Sequence, residues 1–216
     1  MKNNDLPVGR LLHVNLNPIR FVFDIRDTEG SPIPSDLLKS VESGNQLIGK
    51  VFSNTQQNCS LQGIAVCETM LSHGTKVTTD RITPALRKQY KDLNIQKDTT
   101  YLIHLNKTHR LEEKYSSLAH ELGHIFCGLL GIDRYAWWPE REAINISAED
   151  IEAGCVAYLV CRRKGLQACS EKYLSNYVRT NQEMPAFSLN AVLQAVSYVE
   201  EMGKQRWKEP RKRRRN

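Results

Sequence analysis

A chain of 216 residues that is 40% hydrophobic and 25% charged has the apolar material for one sizeable core, which excludes an intrinsically disordered protein. It has no run of about 18 apolar residues, and Met1 to Leu12 offers no apolar core of a signal peptide, so neither a membrane span nor secretion is expected and the cytoplasm is the expected location. The net charge of +6 resides mainly in Trp207 to Asn216, where Lys208, Arg211, Lys212, Arg213, Arg214 and Arg215 face only Glu209; the body is near neutral, and the pI of a basic protein belongs to a tail rather than to a groove.

In chain order, Leu11 to Leu16 reads as a short strand. Ile19, Phe21, Phe23 and Ile25 alternate with Arg20, Val22, Asp24 and Arg26 and predict a second. Gly30, Pro32 and Pro34 break the chain, and Ser35 or Asp36 caps a short helix through Val41. Leu47, Ile48, Val51 and Phe52 predict a helix to about Gln57, and Leu61 to Cys67 a buried strand. The polar stretch up to Arg81 is expected to be a loop or hairpin. Thr83-Pro84 starts a helix to about Leu93. Tyr101, Ile103 and Leu105 alternate with Leu102, His104 and Asn106, giving a strand expected to form a sheet edge beside the next helix.

That helix, Leu111 to about Leu130, carries His120-Glu121-Leu122-Gly123-His124. Residues four apart share a helix face, so the two imidazoles can grip one metal ion. Glu121 flanks them, where a carboxylate can take a proton from water. Leu118, Leu122, Ile125 and Leu129 form the opposite, apolar face. A loop follows in which Trp137 and Trp138 either line the cleft or cover the core. A second strong helix spans Ala148 to about Lys164 and stops at Gly165; two more are expected near Ser170–Arg179 and Ser188–Gln205. Six cysteines without a CxxC pair or a secretion signal read as reduced thiols. Cys127, one turn past His124, reads as a small buried hydrophobe, with a metal-facing role as the alternative.

A catalytic zinc site takes three protein ligands and keeps a fourth position open. The extended pattern HExxHxxGxxH fails, because Cys127 and Leu130 stand where glycine and histidine are required. A glutamate from the following helix is the remaining route. Glu152 is expected to be the third ligand, because it shares a face with Val156 and Leu159 and a carboxylate there needs a cation; Glu149 and Glu142 are the reserves. Tyr135, His104, His109 and Arg141 are candidates for stabilising an oxyanion.

Leu118-Ala119-His120-Glu121-Leu122-Gly123-His124, followed by Glu152-Ala153-Gly154-Cys155-Val156-Ala157, resembles the ImmA/IrrE family of bacterial and phage metallopeptidases. The family's second motif is Glu-Ala-Asn-x-Phe-Ala, from which Gly154 and Val156 depart. The likeness covers Tyr101 to about Gly165; the first hundred residues have only a distant likeness to the metallopeptidase part of antirestriction proteins. The resemblance implies an α+β fold with a minimal zincin-like core: a small mixed sheet, the HExxH helix, a following Glu-bearing helix and C-terminal helices. It also implies Zn²⁺ held by His120, His124 and Glu152, with Glu121 as the catalytic base. The implied activity is an intracellular metallopeptidase acting on a regulatory protein such as a helix-turn-helix repressor. A single domain over 1–206 is expected, with strands and helices in 1–98, the metal core in 99–165 and C-terminal helices in 166–206, followed by a disordered basic tail, 207–216. The rival reading is a metal-stabilised interaction module for a protein partner or DNA, marked by a fourth protein donor such as Cys127 closing the site. Nucleic acid could bind the tail but is not expected to be the primary partner.

Overall fold

In the computed structural model, which describes residues 45–72, 77–93, 95–131, 138, 140–141, 146–166 and 185–208, the helix expected to end near Gln57 runs on to Leu61 as α1 (Asn45–Leu61). Its buried positions Ile48, Val51, Phe52, Thr55 and Cys59 continue at helical spacing, so the helix lasts as long as it has a partner to cover that face. All described residues belong to the unit Val41–Glu209. The strands expected at Leu11–Leu16 and Ile19–Ile25, the helices at Ser35–Val41 and Ser170–Arg179, Trp137 and the tail past Lys208 lie outside the described residues.

Three strands follow: β1 (Ile64–Thr69), β2 (Val77–Arg81) and β3 (Tyr101–Asn106), in the order β1-β3-β2. β3 is parallel to β1 and antiparallel to β2. The strand expected to be a sheet edge is therefore the central one. All six of its residues are buried, since strands flank it and both its faces are covered. β2 falls in the stretch expected to be a loop or hairpin, and it pairs with β3 rather than with its sequence neighbour β1. Between β2 and β3 stands α2 (Pro84–Gln89). Thr83 caps it by accepting from the Leu86 N–H at 3.2 Å, Pro84 occupies the first turn, and a separate 3-10 turn covers Lys91–Leu93.

The remaining helices are α3 (Leu111–Phe126), α4 (Ile146–Arg162) and α5 (Leu189–Lys204). At the start of α3 the Glu113 carboxylate accepts the Arg110 backbone N–H at 2.9 Å, and Glu112 and Glu113 favour the positive end of the helix dipole. After Arg162, α4 passes into a turn that closes at Gly165, the expected stop, whose φ of 72° lets the Leu166 N–H turn back to the Cys161 carbonyl at 2.9 Å. The α3 face of Leu118, Leu122 and Ile125 packs with Ile151, Val156 and Val160 of α4 and Val192, Val196 and Val199 of α5 into one core. Trp138 covers its end, edge-on to Phe126 at 5.1 Å.

Two buried asparagines tie α1 to the end of α5. Asn54 donates to Gly203 O at 3.1 Å; Asn58 donates to Met202 O and Gln205 O at 2.8 Å each and accepts from the Trp207 N–H. Those carbonyls would otherwise be left unpaired at a helix end. The layout is α+β: a small mixed sheet flanked by helices. No helix among the described residues is long and apolar enough to cross a membrane.

Candidate metal and active site

His120 and His124 sit on α3 with their Nε2 atoms 3.2 Å apart and their rings edge-on at 4.9 Å. Two ring nitrogens pointed at one another either share a proton or hold a cation between them. Burial pushes the His124 pKa down, opposed by the Asp150 charge, so the ring favours the neutral form that binds metals.

The carboxylate brought to these imidazoles is that of Asp150, on α4, with Oδ1 3.9 Å from His124 Nε2. Donor atoms of His120, His124 and Asp150 all lie within 4.8 Å of one another. The two imidazoles already have the donor spacing of about 3.3 Å that tetrahedral zinc with its roughly 2.0–2.1 Å bonds requires, and Asp150, 3.9 Å from His124 Nε2, needs to move closer to act as the third donor. Two nitrogens and one carboxylate oxygen are also a donor set that zinc favours. The residues fit the ion.

Glu152, the expected third ligand, is not in that group. It is fully buried, as its apolar face implied, but its cation is a guanidinium: Arg141 Nη1 and Nη2 donate to its two oxygens, the Nη2 bond being 3.0 Å. The Ser188 backbone N–H donates to the same carboxylate at 2.6 Å. The reason lies in the helix crossing. A Cβ on Gly123 would lie 2.9 Å from Ala153 Cα and 3.2 Å from Val156 Cβ, so α3 and α4 meet backbone to backbone at Gly123 and Ala153. Asp150 and Glu152 are separated by about 200° around α4 and flank that contact on opposite sides. Only Asp150 is on the side of the imidazoles. The cue available in the sequence was an acidic residue one turn before Ala153, on the face that meets α3.

Glu121 lies beside the imidazoles and accepts a hydrogen bond from Thr79 Oγ1 on β2 at 2.7 Å. Burial raises its pKa, with the Thr79 hydrogen bond opposing and the Asp150 charge reinforcing the shift, which brings the carboxylate toward the range of a working base. Thr79 had no signal in the sequence, because only the pairing of β2 with β3 carries it to the site.

Of the groups considered for oxyanion stabilisation, three are described. Ile103 is the register partner of Thr79, which reaches α3, so His104 points from the opposite sheet face, where its Nδ1 is 3.1 Å from Cys67 Sγ and its Nε2 3.8 Å from Asp80. Arg141 is engaged by Glu152. His109 lies ahead of α3, roughly 14 Å along the helix axis from His120. Tyr135 and the reserve ligand Glu142 lie outside the described residues; Glu149 is described but does not join the cluster. Cys127 is buried, its thiol pushed up to about 12 mainly by burial, and it too stands outside the cluster. Among the described residues the site has three protein donors and no fourth.

A family model, Peptidase_M78, the IrrE N-terminal-like domain, matches residues 63–174, more than half of the chain. The chain belongs to the Peptidase_M78 family. Searches of curated proteins and of solved structures gave no match. The Peptidase_M78 match runs from just before β1 through α4 and so includes every residue of the cluster, together with Thr79 and Glu121. Membership assigns a peptidase-type activity on protein substrates, and the small mixed sheet flanked by helices agrees with the general layout of the family's domain.

Proposed function

We propose that this chain is a zinc-dependent peptidase with a zincin-like core, in which His120, His124 and Asp150 hold the metal and Glu121 is the catalytic base. The convergence of the two Nε2 atoms and Asp150 Oδ1 beside the half-buried Glu121 carries the reading. When bound, zinc would supply Lewis-acid polarisation and acidify water. Glu121, held at one oxygen by Thr79, accepts a proton from water as the oxygen attacks a peptide carbonyl, and delivers that proton to the departing amine. β2 is an outer strand of the sheet among the described residues and carries Thr79 to the base, so an extended substrate paired along its free edge would run past the reacting groups.

The substrate class that the resemblance supports is a regulatory protein such as a helix-turn-helix repressor, and the cytoplasm is the matching compartment. The purified protein should contain one zinc per chain. His120→Ala, His124→Ala and Asp150→Asn should lose it, while Glu121→Gln should keep metal and fold but leave a candidate repressor uncut. Full zinc content in both histidine variants, or equal turnover by Glu121→Gln and the parent, would overturn the assignment.

A further inference from the structure

Glu152 is fully buried on α4, and an ionised carboxylate there costs several kcal/mol unless it is paired and fully hydrogen-bonded. Arg141 pairs with both of its oxygens, and the Ser188 N–H completes the set. Each partner belongs to a different part of the chain. The Arg141 backbone N–H donates to Gly128 O, in the turn that ends the histidine-bearing helix α3, at 3.2 Å. Ser188 caps α5 by accepting from the Ala191 N–H. A single carboxylate therefore ties α4 to the end of α3 and to the start of α5.

Asp150 is in the opposite position. Its side chain is 48% exposed, and apart from the contact at 3.9 Å with His124 no hydrogen bond fixes it among the described residues. Where Asp150 points is decided by the rotation of α4 about its axis and by its distance from α3. A bidentate guanidinium contact is directional, and this one runs from Glu152 on α4 to Arg141, whose backbone is bonded to the end of α3, so it adds a second restraint beside the contact of Gly123 with Ala153. We propose that Glu152 and Arg141 are positioning residues for the metal site, a clamp that sets α4 so that Asp150 meets the imidazoles. The inference rests on Asp150 being the third donor.

Glu152→Gln, Arg141→Lys, Asp150→Asn and the double variant Arg141→Met/Glu152→Met are compared with the parent. The double variant is included because replacing a buried ion pair with apolar residues commonly preserves the fold. Zinc affinity is read by competition with a chromophoric chelator, and Co²⁺ absorption bands report donor geometry, at a temperature where circular dichroism shows each protein folded. Glu152→Gln and the double variant should bind zinc roughly 10–100-fold more weakly and shift the Co²⁺ bands, Arg141→Lys should fall in between, and Asp150→Asn should fall furthest. A role confined to fold stability would lower the melting temperature and leave both metal readouts unchanged, which would overturn the clamp. If Glu152→Gln abolishes binding while Asp150→Asn and Arg141→Lys keep it, Glu152 is itself a ligand and the clamp is also overturned. Zinc retained by both His120→Ala and His124→Ala would sink the metallopeptidase reading separately.

Discussion

Glu121 is held by a single described hydrogen bond, from Thr79, and a base must meet its proton at the right angle as well as with the right basicity. Thr79→Val should therefore leave zinc content unchanged and slow hydrolysis about tenfold, a smaller loss than the roughly 10²–10⁴-fold expected when the base is removed, while Thr79→Ser should recover most of the rate. Unchanged turnover in Thr79→Val would mean that Glu121 is oriented by something else. On the other face of β3, His104 is 6% exposed, and its pKa lies below the ordinary 6.5, chiefly through burial and against the pull of Asp80. With the folded pKa below the unfolded one, the unfolded chain binds more protons between the two values. The contribution of His104 to stability is thus complete above about pH 6.5 and declines as the pH falls through the folded pKa. His124 is shifted in the same direction. Metal-free protein should show a falling urea midpoint from pH 7.5 to 5.5, and His104→Asn should flatten that slope; an equal slope in the variant would assign the acid sensitivity to other groups.

At the scale of elements, the crossing of α3 and α4 sets the geometry of the metal site. Gly123 lets the two backbones touch at Ala153, and an added methyl would have to displace backbone atoms rather than the tip of a flexible side chain. Gly123→Ala is expected to destabilise the protein by about 1–3 kcal/mol and to weaken zinc binding by moving Asp150 away from His124. Chemical denaturation together with chelator competition would measure both. A variant as stable as the parent would show that the helices separate at little cost. The sheet follows the same logic. β3 could be read as a strand from its own alternation, but its central place required β1 and β2 to find it from opposite directions, one parallel and one antiparallel.

For the whole molecule, the question is where the folded body gives way to the basic terminus. Trp207, assigned by sequence to the start of the tail, is half-buried: its ring lies 5.4 Å from that of Tyr198, and its backbone N–H donates to Asn58 Oδ1. Deleting residues 211–216 should leave zinc content and melting temperature unchanged, since a dense basic run gains little by burial. Deletion from Trp207 onward should lower the melting temperature, because it removes that ring and leaves Asn58 short of a partner. A marked loss of stability on the shorter truncation would show that the terminus contributes to the body.

The sequence by itself determined whatever depends on local spacing. Histidines four apart on an amphipathic helix, a threonine-proline start, a glycine stop and a serine cap specify α3, α2, α4 and α5 through interactions within a few residues. It also required a cation for a carboxylate at position 152. Tertiary structure alone decided which cation that was and which carboxylate faced the histidines. Arg141 is eleven residues from Glu152 and Ser188 thirty-six, and the meeting of Gly123 with Ala153 joins segments thirty residues apart. Periodicity reports which residues share a helix face; it does not report the angle at which that face meets another helix, and at this site that angle separates Asp150 from Glu152.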